Sequence, residues 1–127
     1  MARILIAEDE DAIRGLVARA LLQDGHDVMT ANDGAAALDV LAHEHGAFEL
    51  LLTDIRMPLM DGIALALATA RDHPDITILL MTGYADQRER ASGLNMLIHD
   101  VITKPFSLGV MRTAVNGALS TSPRRMN

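Results

Sequence analysis

Leu50-Leu51-Leu52-Thr53-Asp54-Ile55-Arg56-Met57-Pro58 carries a run of aliphatics that ends abruptly in a carboxylate. A short, continuous apolar run of this kind reads as a strand buried on both faces, as in a parallel sheet. The same event recurs along the chain. Ile4-Leu5-Ile6-Ala7 runs into Glu8-Asp9, Ile78-Leu79-Leu80-Met81 into Thr82, and Val101-Ile102-Thr103 into Lys104-Pro105. In a parallel α/β sheet the carboxyl ends of the strands share one edge, and such folds hold their ligands there.

Between the strands lie helical patterns. Ile13, Leu16, Val17, Ala20 and Leu21 recur at helical spacing within Glu10–Gln23, and Gly25 follows the end. His26–Ala31 reads as a second strand, and Asn32-Asp33-Gly34 turns into a helix carrying Ala37, Leu38 and Leu41. The third strand covers Glu49–Thr53. After it, Asp61 caps a helix with Ile63, Leu65, Ala66 and Leu67. His73-Pro74-Asp75 precedes the fourth strand, Ile76–Met81. A short helix is expected over Asp86–Ser92, ended by Gly93, then a fifth strand over Ile98–Thr103. Ser107 caps a last helix with Val110, Met111, Ala114, Val115 and Leu119.

Strict alternation of strand and helix predicts right-handed crossovers and a doubly wound α/β sheet covered on both faces. At this length the expected strand order is 2-1-3-4-5, the flavodoxin-like (βα)5 arrangement, whose switch point lies between strands one and three. Asp9 and Asp54 end those two strands, so architecture and carboxylates select the same place.

The chain has 127 residues, half of them apolar and 22% charged, which suits one soluble domain with a real core. Residues 1–120 are read as that domain and 121–127 as a disordered tail. Aromatics make up 2% of the chain, so the core is aliphatic and methionine-filled. The absence of cysteine removes disulfide scaffolds, zinc-thiolate sites and thiol nucleophiles. A net charge of −6 argues against nonspecific nucleic-acid or anionic-lipid binding. No apolar run has the length of a signal segment or membrane span, so the expected location is the cytoplasm. The five histidines scatter among turns and helix ends; His43 and His45, two apart, do not share a helical face.

Glu8, Asp9 and Asp54 at one edge pose an electrostatic problem. Two unit charges roughly 4 Å apart repel by about 4 kcal/mol at an effective dielectric of about 20. A cluster of three therefore needs raised pKa values, a cationic partner or a bound metal. A hard divalent ion such as Mg²⁺ takes oxygen ligands, keeps waters and coordinates phosphate. Taken singly, each feature has a plain account: Glu8-Asp9 as a helix cap, Asp54 and Thr82 as turn residues, Lys104 as a solvated charge. Taken together, they describe a site that accepts a phosphoryl group. Asp54 is the expected nucleophile. Mg²⁺, the Lys104 ammonium and the Thr82 hydroxyl would each take one phosphoryl oxygen. Asp9 is expected to touch the metal directly and Glu8 through water, with the Arg56 backbone carbonyl completing the shell. Pro105 makes the preceding bond an X-Pro bond in a tight turn, where a cis form aims the Lys104 side chain.

These motifs identify a family. From Arg3 to Leu119 the chain resembles a response-regulator receiver domain of the CheY-like superfamily. The resemblance rests on Glu8-Asp9, on Thr53-Asp54-Ile55-Arg56-Met57-Pro58-Leu59-Met60-Asp61-Gly62, on Thr82-Gly83-Tyr84 and on Lys104-Pro105-Phe106. It implies that Asp54 receives phosphate from a histidine kinase or histidine phosphotransfer protein. It further implies that Glu8, Asp9 and the Arg56 carbonyl serve Mg²⁺ while Thr82 and Lys104 read the phosphoryl group. Family members change the surface formed by the helix after the fourth strand, the fifth strand and the last helix. The absence of an output domain makes the chain resemble a stand-alone receiver.

One position departs from the family pattern. Receivers commonly carry Tyr or Phe three residues before the lysine, and here Val101 stands there. Tyr84 is the nearest ring that could replace it as a gate, a surface tyrosine being the plainer account. With Ile4-Leu5-Ile6-Ala7-Glu8-Asp9 and Met81-Thr82-Gly83-Tyr84-Ala85, this aliphatic position makes the chain similar to CpdR-type single-domain regulators. Those act with histidine phosphotransfer proteins and an AAA+ protease.

Three other readings compete. A phosphohydrolase of the haloacid-dehalogenase type wants a second acid two residues after its nucleophile, where Arg56 stands. A flavodoxin-like cofactor binder wants a phosphate-cradling loop after the first strand, where Glu8-Asp9-Glu10-Asp11 repels phosphate. A phosphorylation-independent scaffold leaves the full set of site residues without a purpose.

Overall fold

The computed structural model describes residues 2–83, 90, 91, 93, 94 and 96–121. Five parallel strands form one sheet: β1 (Arg3–Ala7), β2 (Asp27–Ala31), β3 (Leu50–Asp54), β4 (Thr77–Thr82) and β5 (Asp100–Thr103), in the order β2-β1-β3-β4-β5. Between and after them run α1 (Asp11–Gln23), α2 (Gly34–His43), α3 (Gly62–Asp72) and α4 (Leu108–Ser120). The expected α/β class and strand order are both present. The helix expected over Asp86–Ser92 lies mostly outside the described residues, although Arg90 and Ala91 are helical. Of the expected tail over 121–127, Thr121 instead caps the end of the last helix, and residues 122–127 lie outside the described residues.

The strands are apolar on both faces because both faces are covered. Leu5, Ala7, Leu51, Ile78 and Leu80 pack into one core with Ala37 and Leu41 of α2 and Leu65 and Ala66 of α3. Their neighbours one residue away, Ile4, Ile6, Leu50, Leu52, Leu79 and Met81, pack into a second core. There they meet Val17, Ala20 and Leu21 of α1 and Met111, Val115 and Ala118 of α4. A period of two along each strand thus feeds two separate cores.

The helix starts follow local chemistry. Asp33, Asp61 and Ser107 each accept the backbone N–H three residues on, from Ala36, Ala64 and Val110 at 2.7, 2.8 and 3.1 Å. α1 is the exception: it begins after Glu10, whose side chain makes no capping bond. Glu8-Asp9 is therefore not the N-cap of that helix.

β3 runs one residue further than its hydrophobic pattern suggests. Asp54 is itself a strand residue, in register with Met81, and the Ile55 N–H continues the ladder to the Met81 carbonyl at 3.0 Å. This extension holds the Asp54 backbone as part of the sheet instead of a loop. No described helix is long and apolar enough to cross a membrane.

Candidate functional site

β1 and β3 are adjacent, with Ala7 opposite Thr53, so Glu8 and Asp54 follow at one sheet edge. Glu8 is fully buried and Asp54 nearly so, whereas Asp9 is exposed. Carboxylate oxygens of the three lie within 4.8 Å of one another. Lys104, carried in from the end of β5, places its Nζ 2.6 Å from Glu8 Oε1 and 3.2 Å from Asp54 Oδ2. The Lys104–Pro105 bond is cis, as expected. The Lys104 backbone N–H donates to the Thr82 carbonyl at 2.7 Å, which ties the ends of β4 and β5 together. Thr82 ends β4, buried, one residue beyond the register partner of Asp54.

The backbone around Asp54 is held on several sides. The Thr53 hydroxyl donates to the Asp54 carbonyl at 2.9 Å, and the Gly62 N–H donates to the Ile55 carbonyl at 2.7 Å. Gly62 is required by proximity: a Cβ there would overlap the Asp54 carbonyl oxygen. Met57 and Met60 pack into the core on this loop.

Burial dominates the electrostatics. Desolvation pushes the Glu8 carboxyl up to about 7, against the hydrogen bond from Lys104, and the Asp54 charge adds to the rise. Desolvation also raises Asp54, although the Lys104 charge and hydrogen bonds from Lys104 and with Glu8 oppose it. Burial alone would lower Lys104. Its hydrogen bond to Glu8 and the charges of Asp54 and Glu8 outweigh that and leave the ammonium above its ordinary pKa. Two buried acids whose pKa values are both raised by desolvation share one lysine, which leaves room for further positive charge. An all-oxygen anionic set of this kind fits a hard divalent cation.

An open cleft of about 660 Å³ lies against this edge. Polar Asp54, Asp9, Arg56 and Lys104 line it together with apolar Ile13, Leu16 and Val17 of α1, Pro105 and Phe106. The sequence pattern placed Leu16 on the packing face of α1, yet it is 48% exposed, at the cleft wall. Phe106, one of two phenylalanines and next to Lys104-Pro105, is the one sequence signal that could have pointed to this wall.

Of the expected gating positions, Val101 is half-buried on β5, packed against the core beneath α2 and α3. Tyr84 lies outside the described residues.

Residues 4–116 match the family model of the response regulator receiver domain. The chain is 39% identical over 118 residues to the regulatory protein AtoC of Escherichia coli, covering 92% of this chain but only a quarter of AtoC. It is 40% identical over 108 residues to the response regulator receiver protein CpdR of Brucella abortus, covering 85% of this chain and 88% of CpdR. Among solved structures, the response regulator TrrA of Thermotoga maritima, in complex with Mg²⁺ and BeF, superposes with a TM-score of 0.81 at 29% identity. That match covers 94% of this chain and all of TrrA. A CheY-like receiver protein of Methanospirillum hungatei gives 0.85 at 28% identity, covering 94% of each chain.

Proposed function

Since the chain belongs to the response-regulator receiver domain family, we propose that Asp54 accepts a phosphoryl group from a phosphohistidine donor in a Mg²⁺-dependent reaction. The observation that carries this is the convergence of three carboxylates within 4.8 Å, with the Lys104 ammonium 3.2 Å from Asp54. Asp54 Oδ attacks phosphorus, the P–N bond to the donor imidazole breaks, and the imidazole leaves with a proton. The product is an acyl phosphate on Asp54.

Glu8, Asp9, Asp54 and the Arg56 carbonyl would hold Mg²⁺. When bound, the ion supplies the positive charge that offsets the phosphoryl oxygens. Lys104 then turns from its carboxylate partners to a phosphoryl oxygen, and the Thr82 hydroxyl takes another. Because Glu8 and Asp54 are desolvated, each of these charge interactions is stronger than it would be in water.

The donor would be a histidine kinase or a histidine phosphotransfer protein. The cleft supports this: an apolar wall from α1 and Phe106, ending at Asp54, suits a helix that carries a phosphohistidine. The likeness to CpdR supports a single-domain regulator that signals by phosphorylation-dependent protein contact, with an AAA+ protease as the class of target that the resemblance implies. The chain acts on its own Asp54 and does not turn over external substrates.

The test is incubation with acetyl phosphate or phosphoramidate and Mg²⁺, read by intact mass. One added phosphoryl group is expected, lost on chelation and in Asp54→Ala. Labelling that survives Asp54→Ala would overturn the assignment.

A further inference from the structure

The loop that follows β1 holds four acids in succession, Glu8-Asp9-Glu10-Asp11, beside Asp54. Mutual repulsion should spread such a segment, and Glu10, at the N-cap position of α1, makes no side-chain capping bond to hold it. The restraint comes from one turn further on. Arg14 Nη1 donates to the Glu8 backbone carbonyl at 2.9 Å and Nη2 to Asp11 Oδ1 at 2.6 Å. Its side chain is only 22% exposed.

We propose that Arg14 is a positioning residue that pins the acidic loop in the geometry receiving the divalent ion. The Glu8 carbonyl belongs to the peptide joining Glu8 to Asp9. Holding that oxygen therefore orients both acids. The two sides of this segment have separate anchors. The Glu8 N–H donates to the Ala31 carbonyl at 3.1 Å, and the Glu8 carboxylate is held by Lys104 and by the Glu10 N–H at 3.2 Å. Asp9, exposed, depends on the backbone beneath it. Arg14 does not line the cleft, so it acts through the loop and not on the bound group. A planar guanidinium reaches a carbonyl and a carboxylate together; a lysine ammonium has no such fork.

This inference rests on reading the site as a Mg²⁺ site, and it makes a prediction of opposite sign to a simple charge effect. Were Arg14 only a positive charge near the acids, Arg14→Ala would tighten Mg²⁺ binding and Arg14→Lys would leave it unchanged. As a positioning residue, both variants should weaken it by roughly tenfold, the usual scale for groups that orient metal ligands. The experiment is calorimetric titration of the full chain with MgCl₂, beside thermal unfolding in EDTA and Mg²⁺-dependent labelling by phosphoramidate. Both variants should need more Mg²⁺ for half-maximal labelling while approaching the wild-type rate at saturation. Tighter or unchanged binding in Arg14→Ala, or wild-type binding in Arg14→Lys, overturns the proposal. If Arg14→Ala does not fold in EDTA, Arg14→Lys alone decides. Wild type that neither binds Mg²⁺ nor accepts phosphate sinks the functional reading itself; the variants cannot do that.

Discussion

At Glu8 a carboxylate with no exposed surface faces an ammonium 2.6 Å away, and burial still lifts its pKa to about 7. The folded pKa is raised above the unfolded value, so ionised Glu8 costs stability. The cost begins as pH rises past the ordinary value of 4.5 and is complete above about 7. A shift of this size corresponds to on the order of 3 kcal/mol, reduced in a substitution by whatever Lys104 loses as a partner. In EDTA, Glu8→Gln should gain stability over wild type between pH 5 and pH 8, by about 1–3 kcal/mol at the upper end. Urea unfolding at the two pH values measures this; an advantage that does not grow with pH would refute the assignment. Protons and Mg²⁺ compete for the same oxygens, so Mg²⁺ affinity should rise as pH increases through 7. Residue identities at the site were legible in the chain because each acid or hydroxyl directly follows an apolar run. Their protonation was not, because desolvation depends on what packs over them.

Among the elements, α1 differs most from its sequence reading. Ile13, Leu16 and Val17 share helical spacing with Ala20 and Leu21, and periodicity alone assigns them all to one buried face. Only part of that face meets the sheet. Val17, Ala20 and Leu21 are buried, whereas Leu16 stands at the cleft. If a protein donor docks there, Leu16→Asp should slow phosphotransfer from the cognate histidine protein at least tenfold, about 1.4 kcal/mol in the transition state. The rate with phosphoramidate should stay near wild type, since the small donor needs no apolar wall. Equal loss with both donors would show that the substitution disturbs the site and not a docking face. The loop from β3 to α3 was easier to read. Asp61 was expected as a cap, and it accepts from Ala64; it also receives Arg90 at 3.2 Å, a contact across 29 residues that no local pattern announces.

For the whole molecule, the metal and the fold should be linked. Glu8 and Asp9 directly follow β1 and Asp54 ends β3, two strands that pair side by side, so an ion shared among the three would brace the centre of the sheet. A ligand that binds only the folded chain stabilises it by about 2.7 kcal/mol at a hundred times its Kd. Adding Mg²⁺ to that level should raise the unfolding midpoint, and EDTA should reverse the rise. Asp9→Asn should lose most of the gain while unfolding in EDTA much as wild type does, because Asp9 is exposed. A Mg²⁺ response undiminished in Asp9→Asn would place the ion elsewhere.

The chain by itself determined the strands, their order and the polar residue at the end of four of them. Apolar runs are a local property, and alternating strands and helices leave few ways to cover both faces of a sheet. Thus the apolar runs alone bring Asp54, Thr82 and Lys104 to one edge. Tertiary structure alone decided which oxygen meets which cation. Lys104 reaches Glu8 across 96 residues, Arg14 holds the Glu8 carbonyl, and Leu16 becomes a cleft wall. These depend on side-chain reach and on the packing of neighbouring elements, which periodicity does not encode. The same holds for Val101: its place three residues before Lys104 was plain, but its packing against the core beneath α2 and α3 came from the sheet.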